Sequence, residues 1–140
     1  MPTRDRELDL RHRLRDGMRG RWLLTWHEDG RVNPGVPDVS YVITDKVYNI
    51  RHETGWLELK VAKEGTVQVE PAQHQWMRLH AGLVPAHFLI EHNDRWFLVD
   101  GVMSAHLDHI IAGVQSKSMV AGDFDTLARH LSSYTRRRYD

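Results

Sequence analysis

The chain has 140 residues, of which 41% are hydrophobic and 27% charged, a length that suits a single domain over residues 1–140. It contains no cysteine, which excludes disulfides, cysteine zinc sites and a cysteine nucleophile. The longest uncharged apolar stretch is too short to span a bilayer, and the first residues are charged rather than signal-like. We therefore expect a soluble, cytoplasmic protein with no membrane partner.

The formal net charge is zero, but the charge is unevenly distributed. Residues 1–21 and 129–140 each carry +3, while the segment between them carries −6. An acidic centre with arginine-rich ends is typical of a metal site flanked by phosphate-contacting arms, although solvated helix faces give the same pattern. The candidate DNA-contacting residues in these ends are Arg11, Arg15, Arg136, Arg137 and Arg138.

The first half of the chain predicts one helix followed by three extended segments. Leu10, Leu14 and Met18 recur every four residues, which favours a helix with one apolar stripe. Alternation favours the strands, and Gly55 is interpreted as a breaker before the last of them. The predicted bounds are 4–18 for the helix and 21–27, 36–44 and 56–61 for the extended segments; residues 45–54 are ambiguous.

The second half predicts a helix, a β-hairpin and further helices. Pro71 is well placed as the first residue of a helix, and Ser104 and Asp123 are candidate N-caps of two others. The predicted bounds are 71–81 for the first helix, 84–91 and 95–99 for the hairpin strands, and 104–112 and 123–138 for the last helices. We therefore expect an α/β (α+β) fold with a small mixed sheet flanked by helices, its core at about 4–100 and a C-terminal helical extension at about 104–138.

The strand predicted at 56–61 carries the residues of most chemical interest. Because side chains alternate along a strand, Glu58 and Lys60 share one face with Trp56, opposite the apolar residues that anchor the strand. A strand buried on one side would then present a carboxylate beside an ammonium. Lys60 could hold a phosphate or orient an attacking water.

Asp38 follows a proline-stiffened turn and could supply a second carboxylate if its strand pairs next to that of Glu58. Two carboxylates and a backbone carbonyl, for which Leu59 is placed, form a hard-oxygen site suited to Mg²⁺. Taken singly, each of these residues is more often an ordinary surface residue, so the prediction depends on their combination.

Three motifs in order give the chain a resemblance to a known superfamily. They are Gly-Val-Pro-Asp at 35–38, Gly-Trp-Leu-Glu-Leu-Lys at 55–60, and Pro-Ala-Gln at 71–73 ahead of Trp76 and Gly82. This pattern, which covers about residues 30–100, resembles the PD-(D/E)XK nucleases, in particular the small VRR-NUC-like and phage-type endonucleases. The resemblance implies a restriction-endonuclease-like αβββαβ core, divalent-metal dependence and cleavage of DNA phosphodiesters.

The resemblance also implies roles for individual residues. Asp38 and Glu58 match the metal ligands, Lys60 the catalytic lysine, and Gln73 the glutamine that supports the site from its helix. Many members add a glutamate from the first helix, and Glu7 fits that position, although a solvated glutamate is an equal alternative.

These roles together predict an Mg²⁺- or Mn²⁺-dependent DNA endonuclease that uses a metal-activated water. Its selectivity is expected to follow DNA structure (branched, flapped or single-stranded) rather than sequence. A homodimer could present two sites to a junction.

Two other readings stay open. A non-catalytic nucleic-acid-binding or assembly module could retain a nuclease-like sheet without needing Glu58 and Lys60. A histidine-based metallohydrolase centred on His106 and His109 would instead depend on Zn²⁺.

The aromatic residues and one further lysine complete the candidate surface. Trp56 is expected to line the mouth of the cleft because it shares a face with the acid–lysine pair, and Lys63 begins the polar loop after this strand; both are candidate DNA contacts. The remaining four tryptophans are interpreted as core residues: Trp22, Trp26, Trp76 and Trp96.

Overall fold

A computed structural model describes residues 3–27, 34–43, 53–113 and 118–139. The helices are α1 (Thr3–Met18), α2 (Pro71–His80), α3 (Leu107–Ala112) and α4 (Phe124–Tyr139), with a kinked 3₁₀ segment at Gly101–His106. The strands are β1 (Trp22–Trp26), β2 (Val39–Ile43), β3 (Glu53–Val61), β4 (Ala86–His92), β5 (Arg95–Asp100) and β6 (Ser118–Val120). The predicted mixed α/β architecture is confirmed. None of these helices has the length and apolar character needed to cross a membrane.

The strands form one open six-stranded sheet in chain order, β1 to β6. All neighbours are antiparallel except β3 and β4, which run parallel. A parallel pair needs a crossover connection, and α2 lies in that connection. This places the N-terminus of α2 beside the central strand β3.

Helices cover both faces of the sheet. Leu10 and Leu14 of α1 and Leu127 of α4 pack with Leu57 and Leu59 in one apolar cluster. A second cluster on the other face joins α2 and α3 to β4 and β5, and Trp56 packs against it. The predicted division of β3 into two faces is therefore confirmed.

The expectation that β3 is buried on one side only is wrong. Glu58 and Lys60 are exposed to only 3% and 7% of their full surface. The reason is that α2 packs over the face on which they lie. The pair is consequently an interior feature rather than a half-exposed one.

Other predicted features need correction. Gly55 is not a breaker: it lies within β3 opposite Tyr41, where an added Cβ would lie 2.2 Å from the tyrosine oxygen. Ser104 caps no helix, because Asp100 accepts the Val102 N–H at the start of the 3₁₀ segment. Strand β6 was not predicted, and most of the ambiguous segment 45–54 lies outside the described residues.

Several local predictions are confirmed. The β4–β5 hairpin turns at Asn93 and Asp94, both with positive φ (51° and 60°), as tight two-residue hairpins require. Asp123 caps α4 by accepting the Thr126 N–H at 3.1 Å and the Thr126 hydroxyl at 2.6 Å. Pro71 begins α2.

Candidate active site

Asp38 and Glu58 meet at the point where β2 and β3 separate. The last pair between the two strands is Val39 with Leu57, so Asp38 lies opposite Glu58 one step beyond the ladder. The Asp38 N–H donates to Glu58 Oε2 at 3.2 Å, and the two side-chain carboxyl groups lie within hydrogen-bonding reach of each other. The two predicted ligands therefore converge.

The edge of β3 beyond Asp38 is occupied by carboxylates rather than by another strand. The Leu59 N–H donates to Asp38 Oδ2 at 2.8 Å, and the Glu7 carboxyl group interacts with the backbone of Val61, which favours its ionised form. Because the N–H and C=O of a strand residue point toward the same neighbour, the Leu59 carbonyl faces this edge as well. It is thus positioned beside Asp38, as the predicted donor set requires.

Gln73 ties the acid and the lysine of β3 to helix α2. Its Oε1 accepts Lys60 Nζ at 2.9 Å, and its Nε2 donates to Glu58 Oε1 at 2.8 Å. Lys60 Nζ also lies 3.8 Å from Glu58 Oε1. One amide therefore bridges an acceptor and a donor that are buried together.

The position of Gln73 is fixed by the start of α2. The side chain of Glu70, the N-cap, accepts the backbone N–H of Gln73, and Gln73 Oε1 accepts the Glu70 N–H at 3.0 Å. This is a capping box. Gln73 therefore serves the helix terminus and the acid–lysine pair with the same side chain.

Gly35 brings the turn before Asp38 against that helix terminus. Its φ is +85°, and a Cβ built on it would lie 2.1 Å from the Ala72 carbonyl oxygen. Only glycine meets both conditions without strain. The contact sets the distance between the Asp38 segment and the first turn of α2.

The cluster contains more acidic than basic groups. Burial, with a further contribution from Asp38, raises the pKa of Glu58 well above its ordinary value, and Lys60 offsets only part of this effect. Burial also raises the pKa of Glu7, which experiences both Lys60 and Asp38. Three carboxyl groups thus surround a single ammonium, an arrangement that favours an added cation.

The donors at this site fit a hard divalent cation in part. Within the described ranges, no three histidine, aspartate or glutamate side chains are arranged as a ready metal site. Asp38 and Glu58 with the Leu59 carbonyl form a set of three oxygen donors, of which only two are carboxylates, and oxygen donors are what Mg²⁺ and Mn²⁺ prefer. Glu7 interacts electrostatically with Asp38 and Lys60 but is not counted among these three donors.

The residues predicted to contact DNA are spread over the structure. The Arg11 guanidinium lies 5.0 Å from the ring centre of Trp26, the Arg15 guanidinium pairs with Asp16 at 3.2 Å, and Lys63 is exposed just after β3. Arg136, Arg137 and Arg138 belong to α4, but their side chains lie outside the described part of the chain. Their role in DNA binding stays a prediction.

The tryptophans divide into two groups. Trp22 and Trp96 are buried in the core as predicted, at 7% and 0% exposure. Trp26, Trp56 and Trp76 are only partly buried. The core interpretation therefore describes Trp22 and Trp96 better than Trp26 and Trp76.

His106 and His109 line a different cleft, of about 480 Å³, between α2 and α3. His74 also lines it and is hydrogen-bonded to Ser104 Oγ at 3.0 Å. These imidazoles are not grouped with other ligands as a metal site within the part of the chain that the structure describes. The histidine-based alternative therefore gains no support from the geometry.

Two partners of the site were not anticipated. Glu70 fixes Gln73, and a Glu-Pro-Ala-Gln capping box could have been recognised from the sequence. His27 was not considered; its backbone N–H donates to the Asp38 carbonyl at 2.8 Å. No sequence pattern signals that contact because the residues lie on different strands.

Comparison with protein-family models yields no match, and a search of curated proteins yields none either. The resemblance to the PD-(D/E)XK nucleases consequently remains one of sequence motifs.

Proposed function

We propose that this protein is a divalent-metal-dependent phosphodiester hydrolase acting on DNA, an endonuclease of the PD-(D/E)XK type. The observation that carries the proposal is the convergence of Asp38 and Glu58 at the end of β2, with Lys60 held beside them by Gln73. The order of elements from α1 to β4, a helix, three strands, a helix and a strand, is consistent with the αβββαβ core that the motifs imply.

In the proposed reaction, Asp38, Glu58 and the Leu59 carbonyl would hold Mg²⁺ or Mn²⁺. A cation bound there would supply positive charge that favours deprotonation of an attacking water and departure of the leaving oxygen. Burial and Asp38 raise the pKa of Glu58, so a cation at this site would compete with a proton for the Glu58 carboxyl group.

Lys60 contributes a fixed positive charge in a nearly dry environment. Its ammonium is oriented by Gln73 and is placed to hold a phosphate oxygen or orient the water. The water oxygen bonds to phosphorus as the bond to the 3′ oxygen breaks, which leaves a 5′ phosphate and a 3′ hydroxyl. Preorganised charge of this kind is worth most where water is excluded.

The proposed substrate is recognised by its backbone and shape. Arginine contacts to phosphates carry no sequence information, and the arginine-rich ends of the chain are the candidate source of such contacts. We therefore propose selectivity for branched, flapped or single-stranded DNA.

The test is nicking of supercoiled plasmid in Mg²⁺ and in Mn²⁺ by the unmodified protein and by Lys60→Met. We expect the variant to lose at least about 100-fold in rate while its DNA affinity, measured by fluorescence anisotropy, stays within a few-fold. Arg95→Met is the matched control, because it removes an exposed positive charge on β5. All three proteins are purified in the same way, so a contaminating nuclease would produce the same nicking in each preparation.

Equal nicking by the unmodified protein and Lys60→Met would remove Lys60 from the mechanism. DNA binding without nicking in either metal would instead favour a non-catalytic binding module.

A further inference from the structure

Four aromatic rings form a continuous row beside the acid–lysine cluster. The ring centres of His27 and Trp56 are 5.0 Å apart, those of Trp56 and Trp76 are 5.3 Å apart, and those of Trp76 and His80 are 4.0 Å apart. All four residues are partly exposed. We call this row, His27–Trp56–Trp76–His80, the aromatic ladder.

Both end rings of the ladder are held by hydrogen bonds. A ring nitrogen of His27 lies 2.9 Å from Ser40 Oγ. His80 Nδ1 donates to the Trp76 carbonyl at 2.8 Å, and its ring stacks on that of Trp76 with an interplanar angle of 15°. Rings fixed in this way lose little conformational entropy when a ligand packs on them.

The ladder is built on the same elements as the proposed active site. Trp56 precedes Glu58 by two residues on one face of β3, a separation of about 7 Å. Trp76 follows Gln73 by three residues, which places it about one turn further along α2. The backbone of His27 is bonded to the Asp38 carbonyl, so three elements carry both features.

We infer that the aromatic ladder binds unstacked bases of single-stranded DNA next to the scissile phosphate. This inference rests on the proposed function, because the proposed active site determines where the DNA strand lies. Every base has a π-face that can stack on an aromatic side chain, whereas the faces of paired bases are covered by their neighbours in a duplex.

The experiment compares two fluorescent single strands of equal length and charge, one with all its bases and one with central abasic residues. Anisotropy is measured with Lys60→Met in Mg²⁺, so that the strands are not cleaved. We expect roughly 5- to 150-fold tighter binding of the strand with bases for each base that stacks. Trp56→Leu and Trp76→Leu, each added to Lys60→Met, should bring this ratio close to one.

The matched control is Trp26→Leu, which removes an indole that packs with the α1 side of the sheet. We expect this variant to keep the ratio. The ratio of the two affinities is measured on one protein sample, so a fraction of unfolded molecules affects both affinities equally. If Trp56→Leu folds poorly, Trp76→Leu provides a second variant.

Equal binding of the two strands by the protein with an intact ladder would overturn the inference. So would an unchanged ratio in both ladder variants, because the bases would then stack elsewhere. Preferential binding of the strand with bases, without plasmid nicking, would contradict the proposed hydrolysis but not the ladder. Plasmid nicking with equal binding of the two strands would contradict the ladder but not the hydrolysis.

Discussion

Asp38 donates its backbone N–H to Glu58 Oε2 while its own carboxyl group lies against that of Glu58. A partly exposed acid and a buried one are thus held together, and the pKa of Glu58 is raised well above its usual range by burial and by Asp38. Such a pair is costly when both acids are ionised. Its consequences for stability can be measured without any substrate.

The first prediction concerns the metal-free protein. A carboxyl with a raised folded-state pKa keeps its proton in the folded state, so stability falls as pH rises from the unfolded pKa, about 4.3, through the folded one. Glu58→Gln removes this dependence. In EDTA we expect the variant to unfold at a higher temperature than the unmodified protein at pH 8, with the difference shrinking toward pH 5.

Thermal unfolding followed by circular dichroism checks this prediction. Asp125→Asn, which alters an exposed carboxylate paired with Arg21, is the control. Parallel pH profiles for Glu58→Gln and the unmodified protein would contradict the assignment of the raised pKa to Glu58.

The second prediction uses the two functions of Gln73. Gln73→Glu keeps an oxygen for Lys60 and for the Glu70 N–H, but replaces the amide that donates to Glu58 with a fourth carboxyl group. We expect helix capping to be retained and nicking at pH 7.5 to fall at least about 10-fold. Gln73→Ala removes the cap as well, at an added cost of about 1 kcal/mol.

Chemical denaturation and plasmid nicking on both variants separate the two functions. If Gln73→Glu nicks like the unmodified protein, the amide donor to Glu58 is dispensable. A larger stability loss in Gln73→Glu than in Gln73→Ala would show that repulsion with Glu58 outweighs the cap.

Part of this site could be predicted from the sequence and part could not, for physical reasons. The spacing of two between Glu58 and Lys60 determines that they share a face, and Pro71 marks the start of α2. Periodicity does not reveal that α2 covers that face, because a glutamate and a lysine on a strand look the same whether solvent or a helix lies above them. The aromatic ladder joins three separate elements, so no local pattern reports it.

The same distinction applies to the fold. Leu10, Leu14 and Met18 give a helical stripe because the four-residue repeat is long enough to be unambiguous. Strand β6 has three residues (Ser118–Val120), too few to show an alternation. Its existence depends on pairing with β5, a tertiary contact.

The third prediction tests the contact that positions α2. Gly35→Ala places a methyl group 2.1 Å from the Ala72 carbonyl oxygen at a φ of +85°. Backbone strain and overpacking together should cost about 2–4 kcal/mol, and the displaced helix start should lower nicking by shifting Gln73.

Gly65→Ala is the matched control for this change. Gly65 also has a positive φ, +78°, but nothing lies within 4 Å of an added Cβ, so only the backbone strain of about 1 kcal/mol applies. Denaturation midpoints and nicking rates of the two variants give the contribution of the contact. Equal costs would mean that Ala72 moves freely and that Gly35 does not position α2.

The last prediction links the cation to the protons of the cluster. Burial raises the pKa of both Glu58 and Glu7, so a cation bound by ionised carboxylates must displace protons, and its affinity must rise with pH. We expect Mg²⁺ or Mn²⁺ to raise the unfolding temperature more at pH 8 than at pH 5.5. Titration calorimetry in two buffers of different ionisation enthalpy measures the protons released.

Glu7→Gln distinguishes a ligand from a neighbouring charge. Glu7 interacts with the backbone of Val61 and is not grouped with Asp38 and Glu58 as a ready site within the described ranges, so the variant should weaken Mn²⁺ binding by less than about 10-fold. Asp38→Asn removes a direct ligand and should weaken it by more than about 100-fold, beyond the 10- to 100-fold typical of indirect partners. Equal losses in the two variants would place Glu7 among the ligands, and no loss in Asp38→Asn would remove the cation from this site.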